Sequence, residues 1–113
     1  LYEPTHPAVL DLIRRTVEAG RRNGIWTGVC GEMAANPVLV PLLLGLGVEE
    51  LSVSPGSVPI VKEIIRRTRL EEARELAEAA RERRTGSEVL ELCRDLIRRV
   101  CDKQLQEAAG VWG

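Results

Sequence analysis

The stretch that most constrains the fold is Ile25-Trp26-Thr27-Gly28-Val29-Cys30-Gly31-Glu32-Met33. A short apolar run leads into a cysteine held between glycines, and helical sequence follows. That order predicts a buried strand over residues 25–29, a tight turn and a helix start. In parallel α/β folds the turn after a strand's C-terminal end carries the chemistry, because loops converge there while the strands fix their positions. Gly31 lets the backbone take a positive φ and leaves room for a ligand to approach. Cys30 is therefore a candidate reacting group.

The flanking sequence extends this pattern. Residues 1–4 read as a loop. Thr5 is predicted to cap a helix with Pro7 in its first turn, and Leu10, Ile13 and Val17 recur at helical spacing until Asn23-Gly24 closes the element. Asn36-Pro37 starts a second helix, whose run over residues 38–46 is apolar on nearly every face and so wants burial on more than one side. Gly45 and Gly47 end it. Leu51-Ser52-Val53-Ser54 alternates as a second short strand, Pro55-Gly56 turns the chain, and Ser57 is the expected cap of a third helix with Val61, Ile64 and Ile65 inward. Residues 68–71 read as a capping box opening a helix with a stripe of Leu70, Ala73, Leu76, Ala77 and Ala80. Thr85-Gly86-Ser87 breaks the chain before a last helix carrying Val89, Cys93, Leu96, Ile97 and Val100. The tail from Asp102 has no assigned structure, and its end is expected to fray. Helix and strand alternate as in a slice of a parallel α/β array, followed by two further helices.

Length and charge narrow the function. A chain of 113 residues suffices for one small domain with a modest core. Sixteen basic against 17 acidic residues leave a net charge of −1, so no overall field recruits nucleic acid, and the low aromatic content offers no base-stacking platform. Charges or Gly/Pro interrupt every apolar run before it reaches the length of a membrane span, so no membrane insertion is expected. There is no basic stretch followed by an apolar one of the kind that directs secretion. Three cysteines at wide, uneven spacing suggest neither a disulfide framework nor a zinc site, which suits a reducing cytoplasm. The chain starts at Leu1 and is expected to be part of something longer.

Three readings of Cys30 stay open on the residues alone. It is a general acid, since a thiol with an ordinary pKa of about 8.5 stays protonated near neutral pH while its thiolate remains accessible. It is a covalent nucleophile, which wants a nearby base, and the sole histidine, His6, lies far back at a helix entry. Or it is an inert buried thiol. Glu32 either orients the loop or is an acid favoured at a helix start. Gly28 and Gly31 frame the turn, and Ser52 and Ser54 could face a ligand. Cys93 and Cys101 read as small buried hydrophobes, and His6 as a surface or capping group.

The motifs Gly28-Val29-Cys30-Gly31-Glu32-Met33-Ala34, Pro41-Leu42-Leu43-Leu44-Gly45-Leu46-Gly47 and Leu51-Ser52-Val53-Ser54, with His6-Pro7-Ala8-Val9-Leu10 upstream, resemble the end of enzyme I of the phosphoenolpyruvate-dependent sugar phosphotransferase system. The resemblance covers residues 1–80. It implies an α/β fold, a partial (β/α)8 TIM barrel made of the last two βα units, with residues 1–67 as the C-terminal part of the phosphoenolpyruvate-binding barrel and 68–113 as a helical extension. It implies that Cys30 gives a proton to C3 of enolpyruvate, with Gly28, Gly31 and Glu32 supporting the substrate loop. Mg²⁺ is the implied cofactor, its carboxylate ligands and the phosphate-binding arginines coming from strands outside this sequence. The implied partners are phosphoenolpyruvate and, through another domain, a histidine phosphocarrier protein. A homo-oligomer is expected, because two strands leave both sheet edges unpaired and the apolar helix after Cys30 has too little chain to cover it. The fragment alone is expected to be inactive. The competing class is a non-catalytic module for oligomerisation or for completing a barrel supplied by another chain.

Overall fold

The computed structural model describes residues 5–29 and 36–111. Helix α1 spans Pro7–Arg22, with Pro7 in the first turn, where a missing N–H costs nothing. Its cap is His6: the imidazole Nδ1 accepts from Ala8 N at 3.1 Å. Thr5, the expected cap, is buried, and its hydroxyl donates to the Gly86 carbonyl at 2.9 Å, 81 residues away along the chain. A side chain seated in a tertiary contact is not available to cap, and its neighbour takes over.

The strand expected over 25–29 is shorter and more open. Strand β1 is Gly28–Val29, and Ile25 and Trp26 leading into it are 63% and 69% exposed. It pairs in parallel with β2, Glu50–Leu51, in the register Gly28↔Glu50 and Val29↔Leu51. Single bonds extend the ladder at each end, Glu49 N to Thr27 O at 2.9 Å and Ser52 N to Val29 O at 3.0 Å. Among the described residues no second layer covers residues 25–26, so apolar character there does not bring burial.

Between the strands, Asn36 caps as predicted, its side chain accepting from Val38 N at 3.2 Å. A 3₁₀ turn, Pro37–Leu39, passes into α2, Val40–Gly45, with Pro41 in the first turn. Gly47 follows at φ +89, a left-handed conformation that glycine takes without strain. After β2, a second 3₁₀ turn, Pro55–Ser57, opens α3, Val58–Arg67. Ser57 makes no capping bond and instead meets the Ser54 hydroxyl at 3.1 Å. Ile65, expected inward, is 39% exposed, while Val61 and Ile64 are buried.

Helix α4 spans Leu70–Arg81, α5 Gly86–Val100 and α6 Lys103–Ala109. The capping box lies one residue later than expected. Thr68 closes α3 by donating to Ile64 O at 2.7 Å, and the Glu72 carboxylate accepts from Arg69 N at 3.3 Å. The tail is a third added helix: Asp102 caps α6 by accepting from Leu105 N at 2.9 Å, and Val111 beyond it is buried.

The core centres on α2. Leu39, Leu42 and Leu43 are buried on every side, each such side chain contributing about 1.5–3 kcal/mol. The most extensive packing of α2 is against α4, where Ala73 and Ala77 let the two backbones approach closely, and α5 adds Val89, Cys93, Leu96 and Ile97 to the same cluster. The expectation that α2 stays uncovered is therefore corrected: the C-terminal helices cover it. The fold is a mostly helical α/β arrangement with a small parallel sheet.

Candidate functional site

The site implied by the sequence lies where the chain leaves the C-terminal end of β1. Cys30, Gly31 and Glu32 lie outside the described residues, as does the rest of 30–35. Their attachment points are described. On one side Val29, the residue before Cys30, has its carbonyl bound by Ser52 N. On the other, Asn36 is tied into its own turn. Reasoning from sequence considered Ser52 for its hydroxyl and missed this backbone role. Aligning the two short apolar runs as parallel neighbours would have revealed it.

Gly28 occupies the strand itself. A Cβ there would lie 3.3 Å from Glu50 Cβ and 3.5 Å from Glu50 Oε1, so the Glu50 side chain lies over the glycine. Gly28 thus serves close strand pairing in addition to any part in the turn. Ser52 and Ser54 are exposed beyond the end of β2, the Ser54 hydroxyl bonded to that of the half-buried Ser57.

The other two cysteines are excluded from surface chemistry. Cys93 is fully buried on α5, and burial pushes its thiol up to about 12. Cys101 is buried at the end of α5, and its thiol is also raised, chiefly by desolvation, against the opposing influence of Arg67. Raised thiols form little thiolate near neutral pH and do not act as nucleophiles. His6 is committed to its capping bond. Among the described residues no three His, Cys, Asp or Glu side chains converge as a metal site. The described residues therefore do not fit Mg²⁺, which takes several convergent oxygen ligands. No helix among them is long and apolar enough to cross a membrane.

The family model described as PEP-utilising enzyme, PEP-binding domain, matches residues 1–70, which include both strands and the 30–35 segment between them. Curated relatives named phosphoenolpyruvate-protein phosphotransferase are similar over most of the chain. The protein from Haemophilus influenzae is 40% identical over 97 residues, 86% of this chain and 17% of the relative. That from Staphylococcus carnosus is 44% identical over 92 residues, 81% and 16% of the two chains. That from Mycoplasma pneumoniae is 49% identical over 80 residues, 71% and 14%. The chain thus spans 17% or less of the length of these three relatives. It belongs to the PEP-utilising enzyme family, matching the PEP-binding domain, and these relatives bear out its resemblance to enzyme I.

Proposed function

We propose that this chain is the part of a phosphoenolpyruvate-protein phosphotransferase that protonates the enolate left by phosphoryl transfer. In that reaction the P–O bond of phosphoenolpyruvate breaks and the phosphoryl group passes to a protein histidine. The enolate then takes a proton at C3 from the Cys30 thiol, and the thiolate recovers its proton from water, giving pyruvate. Gly28 and Gly31 give the loop its backbone freedom, and Glu32 orients it. Residues 1–67 correspond to the last two βα units of a (β/α)8 barrel and 68–113 to a helical extension. Mg²⁺, its ligands and the phosphate clamps belong to other parts of a longer, cytoplasmic protein. That protein passes phosphate to a histidine phosphocarrier for sugar uptake and forms a homo-oligomer, and in the isolated 113-residue chain the open edges of the β1–β2 sheet favour association.

The observation that carries this reading is that Val29, the residue before Cys30, ends a parallel strand within the stretch matching the PEP-binding domain. A positioned acid contributes about 10²- to 10⁴-fold to such a step. In the longer protein, Cys30→Ala is expected to slow pyruvate formation from phosphoenolpyruvate by that order. It should spare phosphate exchange between the active histidine and the phosphocarrier, since exchange makes no carbon acid. Cys30→Ser is nearly as damaging, an alcohol being a far weaker acid than a thiol. Pyruvate formation at the wild-type rate by Cys30→Ala would end the assignment.

A further inference from the structure

Beside the N-terminal end of β2, three elements enclose a pocket of about 240 Å³: the end of α1, the turn after α2 and the start of α4. Its charged lining is Arg21 from α1, Arg74 from α4 and Glu49 from the turn. Among the described residues neither guanidinium has an ion-pair or hydrogen-bond partner. Arg15, Arg67 and Arg98, by contrast, hold carboxylates at 3.0, 3.2 and 2.9 Å. Two guanidiniums and a single carboxylate leave the lining of this small concavity net positive, which favours an anion, and guanidinium forks match phosphate oxygens in geometry.

The pocket is fitted to Arg21 in particular. A Cβ at Gly47 would lie 2.6 Å from Arg21 Nη2, so the guanidinium rests on a residue that is glycine and has φ +89. A side chain at Gly47 would both strain the turn and displace the arginine. Glu49 decides which anion is preferred. A carboxylate in the lining repels an anion that can only accept hydrogen bonds, whereas one carrying its own O–H donates to it.

We propose that this pocket binds a monoprotonated phosphate group, free or as a monoester, with Arg21 and Arg74 on its anionic oxygens and Glu49 accepting from its hydroxyl. The site is independent of the role assigned to Cys30. Calorimetric titration of the 113-residue chain at fixed ionic strength tests it, with inorganic phosphate, glycerol phosphate and sulfate as probes. Inorganic phosphate is expected to bind saturably and sulfate at least about tenfold more weakly, and saturable binding of glycerol phosphate extends the site to esters. Arg21→Ala and Arg74→Ala each weaken phosphate binding by about tenfold or more, since each removes a charge-assisted contact. Arg83→Ala, at an exposed arginine away from the pocket, leaves it unchanged. Glu49→Gln erases the preference for phosphate over sulfate. Absence of saturable phosphate binding, equal affinity for sulfate, or an Arg83→Ala loss matching that of Arg21→Ala would overturn the proposal.

Discussion

Cys30, Cys93 and Cys101 are the same residue type in three settings, and their neighbours in sequence already separate them. Cys30 stands between glycines after an apolar run, while Cys93 shares the helical spacing of Val89, Leu96 and Ile97 and is buried with them. The size of the effect on Cys93 was not legible, because the burial that raises it comes from several elements packed on α5, and spacing along one helix does not reveal them. With its thiol pushed up to about 12, Cys93 should resist iodoacetamide at pH 8 in the native protein and react on unfolding. Rapid native labelling at Cys93, read by mass spectrometry, would contradict this. The sign of the pH dependence follows from the same shift. The unfolded chain ionises this thiol first, so the contribution of Cys93 to stability is complete below the ordinary thiol pKa of about 8.5. It is lost as pH rises towards 12, by about 1.4 kcal/mol per pH unit. Alkaline denaturation should therefore be shallower in Cys93→Ala than in the wild type.

At the scale of elements, local chemistry identified where helices begin and tertiary contact decided which residue does the capping. The Thr5-His6-Pro7 entry was legible as a helix start, yet the capping atom is His6 Nδ1 because Thr5 is held by Gly86. His6→Ala should cost about 0.5–2 kcal/mol and His6→Asn should recover most of it, measured by urea denaturation. Thr5→Val should cost about 0.5–1.5 kcal/mol by removing the buried bond from the hydroxyl to the Gly86 carbonyl. Equal stability of Thr5→Val and the wild type would mean that the bond is dispensable. Gly45 makes the same point inside a helix. Sequence marks it as a terminator, whereas in the structure it is the last residue of α2, where an added Cβ would overlap the Ala73 carbonyl oxygen of α4. Only the identity of the facing helix reveals that role. Gly45→Ala should destabilise by about 1–3 kcal/mol through overpacking, while Gly56→Ala, which meets open space, should not.

At the scale of the whole molecule, the βα alternation and the helical character of the last third were legible, while the packing between them was not. The apolar faces of α2 announced burial on several sides without saying what supplies it. Small residues on α4, read from sequence only as a weak stripe, turn out to be what admits α2 so closely. The extension is thus part of the core of the piece it extends, and one of the two grounds for expecting self-association, an exposed α2, falls away. The other stands: among the described residues β1 and β2 have no further strand beside them. This makes truncation informative. Removing residues 68–113 would expose Leu39, Leu42 and Leu43 at about 1.5–3 kcal/mol each, a sum comparable with the entire net stability of a small domain, about 5–15 kcal/mol. A chain of residues 1–67 should therefore lack a cooperative thermal transition by circular dichroism and bind a hydrophobic dye. The intact chain should melt cooperatively and sediment as an associated species through its open sheet edges. A cooperative transition in the truncated chain would show that α4 to α6 are not needed to complete the core. A well-folded monomer of the intact chain at micromolar concentration would remove the remaining ground for association.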